Sequence, residues 1–219
     1  MRTTGTGRLL AVSIAFAAMA IGGCASMSES ECLTVDWRTI GFEDGVAGYP
    51  GDRIAQHRKA CAKHGVSPDL SLYQAGRDEG LREYCQPANG YRLGAQGSGY
   101  GGVCPAGLDQ PFVEAYESGR ELYALQARVS NAANQLDAKR RELNRVEDEI
   151  VRKSAVIVGG ESSNEDRAQA LVDTKQLAER VGRLKAEIRQ LEKDRVRFEE
   201  ELENYRGQGS GLVSQHVSR

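Results

Sequence analysis

The sequence predicts an all-α protein, a small disulfide-stabilised head of short helices followed by a long antiparallel helical hairpin of coiled-coil type. Three observations predict it. Cys32, Cys61, Cys85 and Cys104 fall in one glycine- and aromatic-rich stretch. After Pro111 the chain has neither proline nor cysteine and is dominated by Ala, Leu, Glu and Arg. Within that second stretch, apolar residues recur at alternating spacings of three and four, the pattern of a coiled-coil seam.

The N-terminus reads as an export signal. Arg2 and Arg8 precede the apolar run Leu9 to Ile21, with no acidic residue before it. A basic segment followed by roughly 7 to 15 apolar residues directs export, and the run is shorter than the ~20 residues that a permanent membrane helix requires. It ends at Ile21-Gly22-Gly23-Cys24, which resembles the lipobox of bacterial lipoproteins. The resemblance implies cleavage before Cys24 and acylation of that residue. Ala25, rather than aspartate, follows the cysteine, which by the sorting rule of such lipoproteins implies the outer membrane, facing the periplasm.

In an exported chain the remaining four cysteines are expected to form two disulfides, with three pairings open. His57, Cys61 and His64 share a helical face and raise a metal reading, but no close C-x2-C pair accompanies them. The polar stretch 26–31 reads as a tether between anchor and head.

Three head helices are expected: Val35 to Ala47, Asp52 to His64 and Leu70 to Tyr84. Gly65 marks a left-handed stop and Asp69 a cap. Leu72, Tyr73, Gly76, Gly80, Leu81 and Tyr84 would share the packed face of the third. An imperfect repeat of an aromatic followed by small residues runs through the region, as Trp37, Gly41, Gly45, Gly48, then Tyr73, Gly76, Gly80, then Tyr91, Gly94, Gly97. Each glycine inside a helix costs about 1 kcal/mol against alanine, so close helix contact is the expected return. The run Asn89 to Gly102 is glycine-rich and reads as loop.

The set Cys32, Trp37, Gly41, Asp44, Gly45, Gly48, His57, Cys61, Gly65, Asp69, Tyr73, Gly76, Gly80, Tyr84, Cys85, Gly90, Tyr91, Gly94 and Cys104 resembles a domain family of unknown function, DUF2799, found in Gram-negative lipoproteins. The resemblance covers about residues 32–104. It implies export and lipidation and brings no activity with it.

In the arm, Leu122, Leu125, Val129, Ala132, Leu136, Leu143, Val146 and Ile150 form one stripe, with Lys139 at a core position. Leu177, Val181, Leu184, Ile188, Leu191, Phe198, Leu202 and Tyr205 form the second, with Arg195 interrupting it. Equal lengths around one break, Ser154 to Glu165, favour a hairpin folded on itself. Pairing between chains, a self-association, is the alternative. Asp109 is expected to cap the first helix, and Ser163 with Asp166 the second. The apolar piece of the break is Ala155 to Val158, of which Val156, Ile157 and Val158 would form an interaction tip. The expected organisation is a signal peptide at 1–23, lipidated Cys24 and tether at 24–31, head at 32–108, hairpin at 109–206 with its turn near 154–164, and a flexible tail at 207–219.

Composition narrows the function. The chain carries 29 basic and 31 acidic residues, and loss of Arg2 and Arg8 with the signal takes the formal charge from −2 to −4. That balance does not suit a nucleic-acid partner. Neither a Rossmann nor a P-loop glycine motif is present, no cofactor is expected, and there is no H-E-x-x-H or G-x-S-x-G. The expected role is a non-enzymatic cell-envelope lipoprotein, structural or interaction-mediating, with the membrane and an envelope protein as partners. One alternative is a small-ligand module using the aromatic and glycine surface of residues 37–100. The other is an enzyme pairing His57 with Asp44 or Asp69.

Overall fold

A computed structural model describes residues 27–216, with side chains as far as residue 208. Cys24 and the signal segment lie outside the described residues. Among the described residues seven helices follow in order: α1 (Glu29–Thr34), α2 (Trp37–Val46), α3 (Arg53–Ala62), α4 (Leu70–Tyr84), α5 (Pro87–Ala95), α6 (Asp109–Val158) and α7 (Asn164–His216). The fold is all-α, a disulfide-linked head of short helices continued by two long antiparallel helices.

Local chemistry sets the ends of the short helices. Ser28 and Glu31 form a reciprocal capping box at the start of α1, so the polar stretch expected to be only a tether turns helical at Glu29. Its serine and glutamate spacing satisfies two otherwise unpaired backbone donors. Asp36 caps α2 and Asp69 caps α4, each accepting a backbone N–H. Gly65, at φ +70°, turns the chain after α3.

Two helix pairs are each held backbone against backbone. α2 and α4 run in the same direction: Gly41 faces the Tyr73 carbonyl, Gly45 faces Arg77 and Gly80, and Gly48 faces the ring of Tyr84. A Cβ at Gly41, Gly45, Gly76 or Gly80 would collide with main-chain atoms of the opposite helix. α5 and α6 repeat this arrangement. Gly90 faces the Phe112 carbonyl, Gly94 faces Tyr116 and Gly119, and Gly97 faces the ring of Tyr123. The fastening recurs too, because an Arg77 N–H donates to the Tyr49 carbonyl at 2.9 Å and the Tyr116 hydroxyl to the Ser98 carbonyl at 2.9 Å.

The glycine-rich run after Asn89 is therefore half helix rather than loop. Pro87 stands in the first turn of α5, where its missing N–H costs nothing, and Gly90 and Gly94 are spent on contact with α6. Leu72 also departs from expectation, since it is 45% exposed while Tyr73, Gly76, Gly80 and Leu81 are buried.

Two cores fill the head. Cys32, Trp37, Ile54, Cys61 and Tyr73 form the first, with Met27, Val35, Ile40 and Val66 packed against them. Leu81, Cys85 and Phe112 centre the second, joined by Tyr84, Leu93, Tyr100 and Tyr116. The disulfides are Cys32–Cys61 and Cys85–Cys104, one in each core. They close 29 and 19 residues of sequence, which in a chain-entropy account stabilises by about 3 to 4 kcal/mol each.

α6 leaves the head without a break. Its first turns carry Phe112, Tyr116 and Gly119 into the head, and the remainder pairs with α7. At ~1.5 Å per residue its 50 residues span about 75 Å. Asp109 does not cap it; Leu108 holds the cap position, and the Asp109 carboxylate instead accepts the Tyr100 hydroxyl at 2.6 Å. The stripes meet through Ala132, Leu136 and Val146 on α6 and Ala170, Leu184, Ile188 and Leu202 on α7. Lys139 reaches across to Glu187, while Arg195 turns to Glu199 on its own helix. Contacts step backward along α7, from Lys153 with Asp173 to Arg128 with Glu201 and Ser118 with Tyr205, the mark of an antiparallel register. The turn is tighter than the expected break. α6 continues through Ser154 to Val158, Gly159 ends it, and Ser163 with Asp166 caps α7. α7 passes the glycines at 207, 209 and 211 and continues to His216, as adding a residue to an existing helix is far easier than starting one.

The glycine contacts yield a paired test. Gly80→Ala should destabilise the protein by about 1 to 3 kcal/mol, the ordinary cost of overpacking, because its Cβ would meet the backbone of Phe42 and Val46. Gly182→Ala, in the exposed middle of α7 with nothing within 4 Å, should stabilise by up to about 1 kcal/mol. Denaturant midpoints of the two variants check the signs, and equal effects would contradict the interlock.

Candidate functional site: a buried polar network and an exposed arm tip

Asp44, His57 and Tyr73 converge between α2, α3 and α4. Helical spacing places each inward: Asp44 beside Gly45, His57 between Ile54 and Cys61, and Tyr73 one turn before Gly76. One carboxylate oxygen of Asp44 accepts the Tyr73 hydroxyl at 2.8 Å and lies 2.8 Å from His57 Nε2. Its other oxygen is 3.9 Å from Arg53 Nε. Asp44 and His57 are each 6% exposed and Tyr73 is 1% exposed. Trp37 flanks the imidazole, with ring centroids 6.5 Å apart. Burial, then the bond to Asp44, pushes the Tyr73 hydroxyl far above the usual phenol range, so it stays a neutral donor.

The network joins three helices and is buried among the described residues. Among the described residues His57 Nδ1 is buried without a hydrogen-bond partner. Asp69, the other expected carboxylate, is remote in role, since it accepts the Leu72 N–H as a helix cap. The geometry fits a structural tie. Its counterpart in the second helix pair is apolar: Leu93 and Phe112 stand in α5 and α6 where Asp44 and Tyr73 stand in α2 and α4.

The metal and ligand alternatives also meet the packing. Cys61 is bonded to Cys32, which removes it from any set with His57 and His64, and no group of three or more His, Cys, Asp or Glu able to hold a metal occurs among the described residues. Trp37 and Tyr73 lie in the first core, and Tyr84 and Tyr100 pack around Phe112 in the second. These rings pack into the two cores, whereas Tyr49 and Tyr91, 43% and 40% exposed, lie at the surface of the expected ligand region.

At the far end of the arm, Val156 and Ile157 are half-buried and Val158 is 84% exposed. Val151, 69% exposed, lies outside the expected apolar piece, and with exposed Ala155 and Val158 it completes one outward face of α6. The signal was present, because 151, 155 and 158 are spaced i, i+4, i+7. Leu171 and Val172 on α7, 57% and 51% exposed, add to the apolar surface near this end. An open hollow beside the turn is lined by Lys153, Val156, Glu161, Asp166, Gln169 and Ala170. No helix among the described residues is long and apolar enough to cross a membrane.

Residues 36–121 match the family described as protein of unknown function, DUF2799. The match takes in α2 to α5 and the part of α6 that packs on α5. It therefore extends past the segment in which the resemblance was legible and stops where the arm leaves the head. No curated protein and no solved structure matches the chain.

Two predictions arise from the head. Asp44→Ala should cost about 1 to 3 kcal/mol by leaving buried polar partners unsatisfied, measured by equilibrium unfolding; an unchanged midpoint would deny the network its structural role. Burial, reinforced by the bond to Asp109, pushes the Tyr100 hydroxyl up to about 12 from an ordinary 10.0. The folded state then holds its phenolic proton where the unfolded chain releases it, so stability is full below pH 10.0 and falls toward pH 12. Tyr100→Phe should flatten that alkaline decline, and unfolding midpoints taken across the interval test the sign.

Proposed function

We propose that this chain, whose residues 36–121 match DUF2799, is a non-enzymatic lipoprotein of the bacterial cell envelope, anchored through acylated Cys24 to the outer membrane and facing the periplasm. In this reading the head is a rigid mount and the arm presents its tip to an envelope protein. The observation that carries the reading is the continuous α6, which runs from the disulfide-bonded head to an end bearing exposed Val151, Ala155 and Val158. A helix paired along its length suits reach and presentation, and an apolar face at its end suits contact.

The basic segment, the apolar run and the Ile21-Gly22-Gly23-Cys24 sequence support the anchor. Two or three acyl chains hold a protein on a bilayer where one holds it only marginally, each buried methylene adding ~0.8 kcal/mol.

Two measurements test the proposal. Cys24→Ala should abolish incorporation of labelled fatty acid and leave the signal uncut, and continued labelling would remove Cys24 as the anchor. With photocrosslinkers at positions 151, 158 and 193 in cells, the tip positions should capture one defined envelope protein and position 193 should not. Val151→Ser with Val158→Ser should reduce that capture at unchanged helicity. Equal capture along the arm would defeat the tip as the contact surface.

A further inference from the structure

The exposed side of α3 is basic and unneutralised. From Arg53 to Pro68 the chain contains Arg53, Arg58, Lys59 and Lys63 and no acidic residue. Ile54, His57 and Cys61 face inward, which turns Arg58, Lys59 and Lys63 to solvent, and all three are exposed. Arg53 leans toward Asp44, whereas no carboxylate among the described residues pairs with Arg58, Lys59 or Lys63. The negative end of α3 favours cations in its last turn, but Arg58 precedes the turn of Lys63 and gains little from it.

This helix is also fixed beside the N-terminal entry to the fold. Cys61 is bonded to Cys32 in α1, and its sulfur lies 3.9 Å from Met27 Sδ. Met27 is three residues after Cys24, a span of at most about 11 Å even when fully extended. The anchor point therefore lies within about 20 Å of the Cys61 turn, a limit set by fully extended chain. Of the two acids in α1, Glu31 is held in the capping box with Ser28, and Glu29 lies 4.0 Å from His64.

We propose that Arg58, Lys59 and Lys63 form a docking face for the anionic headgroups of the bilayer in which Cys24 is anchored. The inference rests on the anchor proposed above. Cations close to an anionic surface gain a free energy that falls away within a Debye length of about 8 Å, so a face held beside the anchor is placed to use it. With multiple acyl chains already retaining the protein, this contact sets orientation, fixing the head against the surface and thereby the direction of the arm.

The test uses the mature lipoprotein inserted into vesicles, either neutral phosphatidylcholine or phosphatidylcholine with one-third phosphatidylglycerol. Acetylation rates are read at Lys59 and Lys63, with exposed Lys175 and Lys193 of the arm as references. Lys59 and Lys63 should react several-fold more slowly on anionic vesicles alone, molar salt should restore their rates, and the arm lysines should not change. Arg58→Glu should raise both rates toward their neutral-vesicle values. Equal rates on the two vesicle types would overturn the docking face, as would the same slowing produced by inorganic phosphate on neutral vesicles. The mass of the N-terminal peptide reports the anchor separately. An unacylated chain that still shows lipid-dependent slowing would overturn the anchor and keep the docking face. An acylated chain without slowing would do the reverse.

Discussion

The head depends on main chain touching main chain. Where Gly41 and Gly45 meet Gly76 and Gly80, two helices lie too close for any side chain to stand between them. This proximity gives up local helix propensity and gains dense contact between backbones, including the C–H to carbonyl contacts that parallel helices make at such a distance. Larger side chains are displaced to the flanks of each contact. Trp37, Tyr73, Tyr84 and Phe112 gather there as the two cores, and the disulfides close the covers over them.

The same frame is filled in two chemically different ways. In the first pair a buried carboxylate collects a phenol and an imidazole from separate helices, and in the second Leu93 and Phe112 do the filling. A buried polar group without its partners costs roughly 1 to 3 kcal/mol, while exchanging all partners for apolar ones of like shape is close to neutral. The first pair is therefore specific in a sense the second is not. Asp44 must receive both His57 and Tyr73, and that requirement fixes how α3 sits across α2 and α4.

Much of this was legible in the sequence, and the unread parts have definite causes. Asp69 and Gly65 gave correct ends because caps and left-handed turns are local chemistry. The arm was legible because its seam repeats over many turns, and Lys139 sits near solvent and reaches Glu187 as a register-setting cation should. α5 was not, since its glycines are explained only by Phe112 and Gly119, residues some twenty positions later in a stretch that reads as arm. For the same reason the fourth glycine-bearing segment went unrecognised, and the aromatic-and-glycine repeat appeared as three copies instead of two pairs. In the candidate site, the inward direction of His57 was readable from helix periodicity. Its engagement with Asp44 depended on how α2 and α3 cross. Exposure at the tip was only partly readable because Val156 and Ile157 are apolar for the sake of α7, not for a partner.

One helix belongs to both halves of the molecule. α6 is locked by glycine contacts at its base and braced by α7 along its length, with the Tyr205 hydroxyl fastening the returning helix to the Ser118 carbonyl. No loop or proline lies between base and tip to absorb bending. The arm is in effect a lever cantilevered from the head: a sideways load on Val158 becomes torque on the α5 and α6 clamp, and the disulfide-bonded Cys85 and Cys104 stand where that torque is borne.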